Sequence, residues 1–410
     1  MQLATFLGMN NKNFLHKQFG KFLFAISILV CCCYSPAKTQ ATKHRISVLS
    51  PIYIDSAFKN NTYKIWGNYL PKIMLPGLEF YNGVSMAIDS LKNDGTSNLF
   101  VDIYDYRSKN NSITDIIEDS ANKLSESKVI IASFSNRSDI KILADYAKKQ
   151  QIPLISATYP NDGGISNNPY FFLLNPTLRT HCKAIYQHLQ KRSNSSNLVY
   201  LSRKGNFEDM VKGLFTEFDA YYTQTALGIK SIDLTDSFSI NQLSNKLDST
   251  RENIIFCGSI NETFALSIIE NLAMLKKYKT TVIGMPTWDA IKGLDKSDYA
   301  GVDVVYTSAY NFVKCPKQIA FLNLKYKNKY NSKPSDLVYK GYETMVRFGK
   351  TISLYGENAI QLFSDDMFKV LNSIDMQAVY NKDITSQIDY FENTKIYFIK
   401  KLDSSKKVNE

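Results

Sequence analysis

The chain has 410 residues, 44% hydrophobic and 13% aromatic, with a formal net charge of +11. That length exceeds what one hydrophobic core usually holds, so two lobes are expected. Its 49 basic residues are interspersed with 38 acidic ones, which argues against nucleic acid as a partner. One basic, aromatic stretch stands out, with Lys325, Lys327, Lys329 and Lys333 around Tyr326 and Tyr330. It reads as the solvated face of a helix.

Residues 1–37 contain Lys12, Lys17 and Lys21, no acid, the apolar run Phe22 to Cys33, and then Ser35-Pro36-Ala37. A basic start, a short apolar centre and a small-residue end form a secretory signal. The run is too short to cross a bilayer, which takes about 20 apolar residues. Cleavage after it leaves a net charge of +8. Leu29-Val30-Cys31-Cys32 offers a second outcome, lipidation of Cys32. Cys31 stands where such a signal has Gly, Ala or Ser, so cleavage ranks first. Either way the expected location is the periplasm or cell envelope, touching the membrane only through an N-terminal lipid. Of the six cysteines, Cys182, Cys257 and Cys315 lie beyond this segment. They are odd in number and far apart, so no disulfide framework or metal-ligand set is expected.

Strands and helices then alternate. Arg45 to Leu49 reads as a strand, followed by the long loop Pro51 to Pro76 and an amphipathic helix Gly77 to Lys92. Phe100 to Tyr104 is a strand and Ile113 to Leu124 a helix. Lys128 to Ala132 and Ile152 to Ile155 are apolar strands joined by a helix over Asp139 to Gln150. Such wholly apolar strands indicate a parallel sheet covered on both faces. Tyr170 to Leu174 follows, and Asn175-Pro176-Thr177 marks a break. The rhythm resumes with strands at Leu198 to Leu201, Gly228 to Ile232, Asn253 to Cys257, Thr280 to Ile283 and Val302 to Tyr306. Long helices are expected at Gln318 to Tyr330 and Asp336 to Leu354. A short helix around Met367 to Leu371 and a strand at Lys395 to Lys401 close the chain.

The strands Lys128 to Ala132 and Ile152 to Ile155 run out into the hydroxyl-rich loops Ser133-Phe134-Ser135-Asn136 and Ser156-Ala157-Thr158-Tyr159. In open parallel sheets ligands sit outside the carboxyl ends of the strands. Hydroxyls and free N–H groups there suit a small polar or anionic ligand, although Ser and Thr also serve as helix caps.

Gly77-Leu78-Glu79-Phe80-Tyr81-Asn82-Gly83 with Ala87-Ile88-Asp89, and Pro153-Leu154-Ile155-Ser156-Ala157-Thr158, resemble segments of the leucine/isoleucine/valine group of ABC-importer substrate-binding proteins. Asn168-Pro169-Tyr170-Phe171-Phe172 resembles the strand leading to that family's first crossover. The resemblance implies an α/β chain with the type I periplasmic-binding fold: two Rossmann-like lobes with parallel sheets, joined by a three-stranded hinge. It divides the chain into a first lobe of 44–175 plus 310–370, a second of 176–309 plus 371–402, and a tail of 403–410. It also implies that Ser135, Ser156, Thr158 and the backbone of Ala157 hold a ligand carboxylate. An acid holds the ammonium, since a buried cation must be paired; Glu262 and Asp289 are the matching candidates, with Glu208 a third. Trp288 would shield the site or stack on the ligand.

The loop Pro51 to Pro76 is longer than this resemblance predicts and carries Tyr53, Phe58, Tyr63, Trp66 and Tyr69. Tyr63 and Trp66 are candidates for a lid or a docking surface. No catalytic motif is present. Gly349-Lys350-Thr351 lacks the earlier glycine of a phosphate loop, and Ser138 with Lys141 stands without companion motifs. His181 and His188 are too far apart to share a metal without other ligands. No cofactor, metal or enzymatic activity is therefore expected. The expected role is capture of a small polar ligand, an amino acid or a cell-wall fragment, for an ABC permease or envelope receptor. The alternative is an envelope protein that keeps the fold and docks a partner or peptidoglycan through its aromatic loop.

Overall fold

A computed structural model describes residues 42–401 apart from 61, 65–68, 110, 224–225, 295–298 and 300. The export segment with Cys32, the tail 403–410, and Trp66 lie outside the described residues. In chain order the first lobe begins with β1 (His44–Ser50), the two-residue hairpin strands β2 (Phe58–Lys59) and β3 (Thr62–Tyr63), and α1 (Leu75–Asn93). Next come β4 (Leu99–Asp105), α2 (Ile113–Glu118), β5 (Ser127–Ala132), α3 (Arg137–Gln150), β6 (Leu154–Ser156) and β7 (Phe171–Leu173). The second lobe supplies α4 (Leu178–Gln190), β8 (Ser196–Arg203), α5 (Asn206–Tyr221), β9 (Lys230–Leu234), α6 (Ile240–Ser244), β10 (Glu252–Cys257), α7 (Glu262–Met274), β11 (Thr280–Gly284) and β12 (Val302–Ser308). The chain then returns through α8 (Pro316–Tyr330), α9 (Asp336–Tyr355), β13 (Met376–Tyr380) and β14 (Ile388–Asn393), and ends in β15 (Tyr397–Lys400).

The first sheet has the order β13-β14-β7-β6-β5-β1-β4 and the second β15-β12-β11-β10-β8-β9. All pairings within them are parallel except β13 with β14 and β12 with β15. Alternate residues of one strand serve opposite faces, as the pleat requires. Val129 and Ile131 pack with α1 and α9 residues such as Phe80 and Phe348, while Ile130 and Ala132 pack with Ile140 and Leu143 of α3. The helices α1 and α9 meet backbone to backbone at two glycines. A Cβ on Gly83 would lie 2.1 Å from the Val338 carbonyl oxygen, and one on Gly341 would lie 2.2 Å from that of Phe80. Lys325 and Lys329, expected on a solvated face, instead tie α8 to α1 through Ser90 at 2.7 Å and Asp89 at 2.6 Å.

Two expectations change. Segment 371–402 was expected entirely in the second lobe, but β13 and β14 join the first sheet and only β15 joins the second. Phe391 of β14 pairs with Phe172 of β7 and stacks on its ring at 4.9 Å. Met367 to Leu371 forms turns rather than a helix. Its flanking backbone groups bond to α9 side chains: Arg347 donates to the Asp365 carbonyl at 2.8 Å, and the Leu371 N–H donates to Glu343 at 2.9 Å.

Three crossovers link the lobes, at 174–178, 308–312 and 393–397. The buried Glu343 carboxylate accepts the N–H of Leu371, the N–H of Asn372 and the Asn372 side-chain amide. Asn372 Oδ1 in turn accepts the Asn311 N–H at 2.7 Å, which fixes the middle crossover. The outer two are tied to each other. Glu392 accepts the Thr177 N–H, and Asn393 Nδ2 donates to the Leu174 carbonyl at 3.1 Å. Beside them His181 is buried, with Nδ1 3.0 Å from Thr307 Oγ1.

Removing one partner of a buried polar set leaves the others unsatisfied. Glu343→Ala is expected to lower unfolding stability by about 3 kcal/mol, read as a lower urea midpoint. Burial holds the His181 pKa down at about 4, against 6.5 for a free imidazole. The unfolded chain therefore binds more protons than the folded one between those values, and stability falls as pH drops through that window. His181→Gln should lose less stability than wild type between pH 6.5 and pH 4 in urea titrations.

Candidate functional site

The carboxyl ends of β1, β4, β5 and β6 form the rim of the first lobe. At the end of β4 the Asp105 carboxylate accepts the N–H groups of Ile52, Tyr53 and Ile54 at 2.9, 3.1 and 2.9 Å, and that of Arg107 at 3.1 Å. It thereby pins the start of the long loop, where Tyr53 takes the left-handed conformation at φ 57°. Along the rim, Ser133 Oγ and Thr158 Oγ1 are 2.9 Å apart. The buried Tyr106 hydroxyl donates to the Ser133 carbonyl and accepts the Ser135 N–H; burial raises its phenol pKa.

These contacts place the predicted first-lobe residues. Ser135 is exposed and Thr158 half-buried. Ser156 is fully buried, its Oγ without a hydrogen-bond partner among the described residues. The Ala157 N–H, expected to serve a ligand, donates to the Ala132 carbonyl at 2.9 Å. Its carbonyl faces the Tyr310 hydroxyl at 3.5 Å.

In the second lobe Glu262 is exposed at the first position of α7, after the cap Asn261. Trp288 is fully buried in the core, with its indole N–H donating to the Ser259 carbonyl at 2.9 Å. Its ring fills the space above Gly284, where a Cβ would come within 2.0 Å. That position shields the core and presents no ring face to a ligand. Glu208 is also buried, accepting from Ser259 Oγ at 2.6 Å and pairing with Arg203 at 3.4 Å. Asp289 is different. It is exposed, and its carboxylate lies near the Tyr306 hydroxyl, where it adds to the burial that raises that phenol.

Asp289 meets groups that sequence reasoning missed. Its charge acts on Asp336 and Lys340, which stand one turn apart at the start of α9 in the first lobe. The Lys340 ammonium lies 4.4 Å from the centre of the Tyr310 ring. Burial lowers the Lys340 pKa, with Asp336 and Asp289 opposing the shift. Burial also raises the Asp336 carboxyl, Lys340 opposing and Asp289 adding to it. Tyr310 belongs to the middle crossover, so this mixed-charge cluster joins the lobes beside the hinge and is linked through Tyr310 to Ala157. Among the described residues no group of three or more His, Cys, Asp or Glu side chains is placed to hold a metal. No helix among them is long and apolar enough to cross a membrane.

No family model matches this sequence, and no curated protein does. The fold is similar to that of several solved structures. A branched-chain amino acid ABC transporter protein from Rhodospirillum rubrum shares 10% identity at a TM-score of 0.59, over 87% of this chain and 96% of that one. A branched chain amino acid ABC transporter periplasmic ligand-binding protein from Burkholderia xenovorans LB400 shares 13% at 0.53, over 90% and 92%. An ABC transporter substrate-binding protein from Desulfitobacterium hafniense, solved in complex with Leu, shares 11% at 0.50, over 87% and 97%. At these identities the likeness is one of fold, and the chain has the type I periplasmic-binding fold of ABC transporter substrate-binding proteins.

Proposed function

We propose that this chain is an exported, non-enzymatic solute-binding protein. It captures a small polar, amino-acid-like ligand between its lobes and delivers it to an ABC importer or receptor. The observation that carries this reading is the meeting of polar groups at Tyr310 of the middle crossover: the Lys340 ammonium on its ring and the Ala157 carbonyl at its hydroxyl, with Asp289 of the other lobe acting on Lys340. The solved relatives in fold include one holding Leu, which supports the ligand class. Closure about the hinge would sequester the ligand and convert occupancy into a shape a membrane partner reads.

A ligand present at 100 times its dissociation constant adds about 2.7 kcal/mol of stability. The mature chain from Lys38 is expected to show that shift in thermal unfolding against amino acids or short peptides, and Asp289→Asn to diminish it. No shift with amino acids, peptides, sugars or muropeptides would overturn the reading.

A second reading has its own observation. Tyr63 packs edge-on to Phe58 at 5.6 Å in the hairpin, while Tyr69 and Ile73 are 65% and 55% exposed. This exposed apolar loop suits docking to an envelope partner or peptidoglycan. On that reading Tyr63→Ala with Trp66→Ala abolishes retention on envelope extract; unchanged retention counts against it.

A further inference from the structure

Several of the first-lobe groups expected to grip a ligand carboxylate are engaged within the chain, the buried Ser156 Oγ being an exception. The N–H groups of Ile52, Tyr53 and Ile54 hold Asp105. The hydroxyls of Ser133 and Thr158 face each other. The N–H of Ser135 is on Tyr106, and that of Ala157 is in the sheet.

Lys340 and Asp336 are in the opposite condition. The Lys340 ammonium rests on the Tyr310 ring, and among the described residues it has no hydrogen bond and no carboxylate within ion-pair distance. Asp336 likewise has neither. The two stand four residues apart on one helix face, roughly 6 Å along the axis. Tyr310 holds the cation in place by a cation–π contact. Asp289 approaches from the other lobe, its carboxylate near the Tyr306 hydroxyl and its carbonyl accepting from Lys401 Nζ at 2.6 Å. Lys340 is half-buried and Asp336 exposed, and the two do not pair with each other. Charges withdrawn from water are costly until paired.

We propose that Lys340 is the carboxylate receptor, and Asp336 with Asp289 the ammonium receptor, for a zwitterionic ligand spanning the interlobe cluster. This rests on the solute-binding reading and deepens it. It makes a paired charge across the ligand, carboxylate on one end and ammonium on the other, the condition for binding. It also moves the carboxylate contact from the hydroxyl loops to α9.

The test begins with calorimetry on the wild-type chain. The probes are the common amino acid giving the largest thermal shift, its decarboxylated amine and its deaminated acid. The amino acid is expected to bind at least 10-fold more tightly than either analogue. Lys340→Met should weaken the amino acid at least 10-fold and leave the amine unchanged. Asp336→Asn should weaken the amino acid and leave the acid unchanged. Lys340→Arg should retain binding, which separates loss of charge from loss of fold. An analogue that binds wild type as tightly as the amino acid overturns the proposal without reference to any variant. So does undiminished amino-acid affinity in Lys340→Met, and in that case solute binding itself still stands. Absence of binding by any amino acid overturns both.

Discussion

Glu343 is a carboxylate only 5% exposed, and the arrangement of both lobes depends on what it accepts. Its three donors come from Leu371 and Asn372. Through Asn372 it fixes Asn311 in the middle crossover, and the nearby Arg347 holds the carbonyls of Asp365 and Asn372. One helix thus decides where the chain leaves the second lobe and where it re-enters the first sheet. Burial raises the Glu343 carboxyl, and the bonds it accepts oppose that shift. This is the pattern of a buried acid retained because each of its neighbours is otherwise unpaired.

The two sheets were legible in the sequence because parallel strands covered on both faces are continuous apolar runs, and Lys128 to Ala132 or Asn253 to Cys257 admit no other easy reading. The Met367 to Leu371 segment was not legible. Its apolar residues imitate a helical turn, but its hydrogen-bond partners lie on α9, and no local periodicity records a long-range side-chain contact. The same holds for β14, whose place beside β7 is fixed by Phe391 stacking on Phe172 and not by anything in its own pattern.

The candidate site divides in a similar way. Ser135, Thr158 and Asp289 could be nominated from the sequence because they follow strand ends, and Ser156 because it ends β6. Trp288 was visible too but misread: Gly284, four residues earlier, is the opening that admits the ring to the core. Lys340 and Asp336 were hidden inside a helix that reads as core. The available signal was a lysine at the edge of a stretch, Tyr339 to Ile352, that is buried almost all round. A cation there has to meet something.

Glu392 and Asn393 fasten the first crossover to the third, at Thr177 and Leu174. The middle connection is clamped at Asn311 and is tied to the third where Ser308 of β12 pairs with Tyr397 of β15. Each connection therefore has a neighbour fastened alongside it, and a twist imposed on one strand of the joint is resisted by the next.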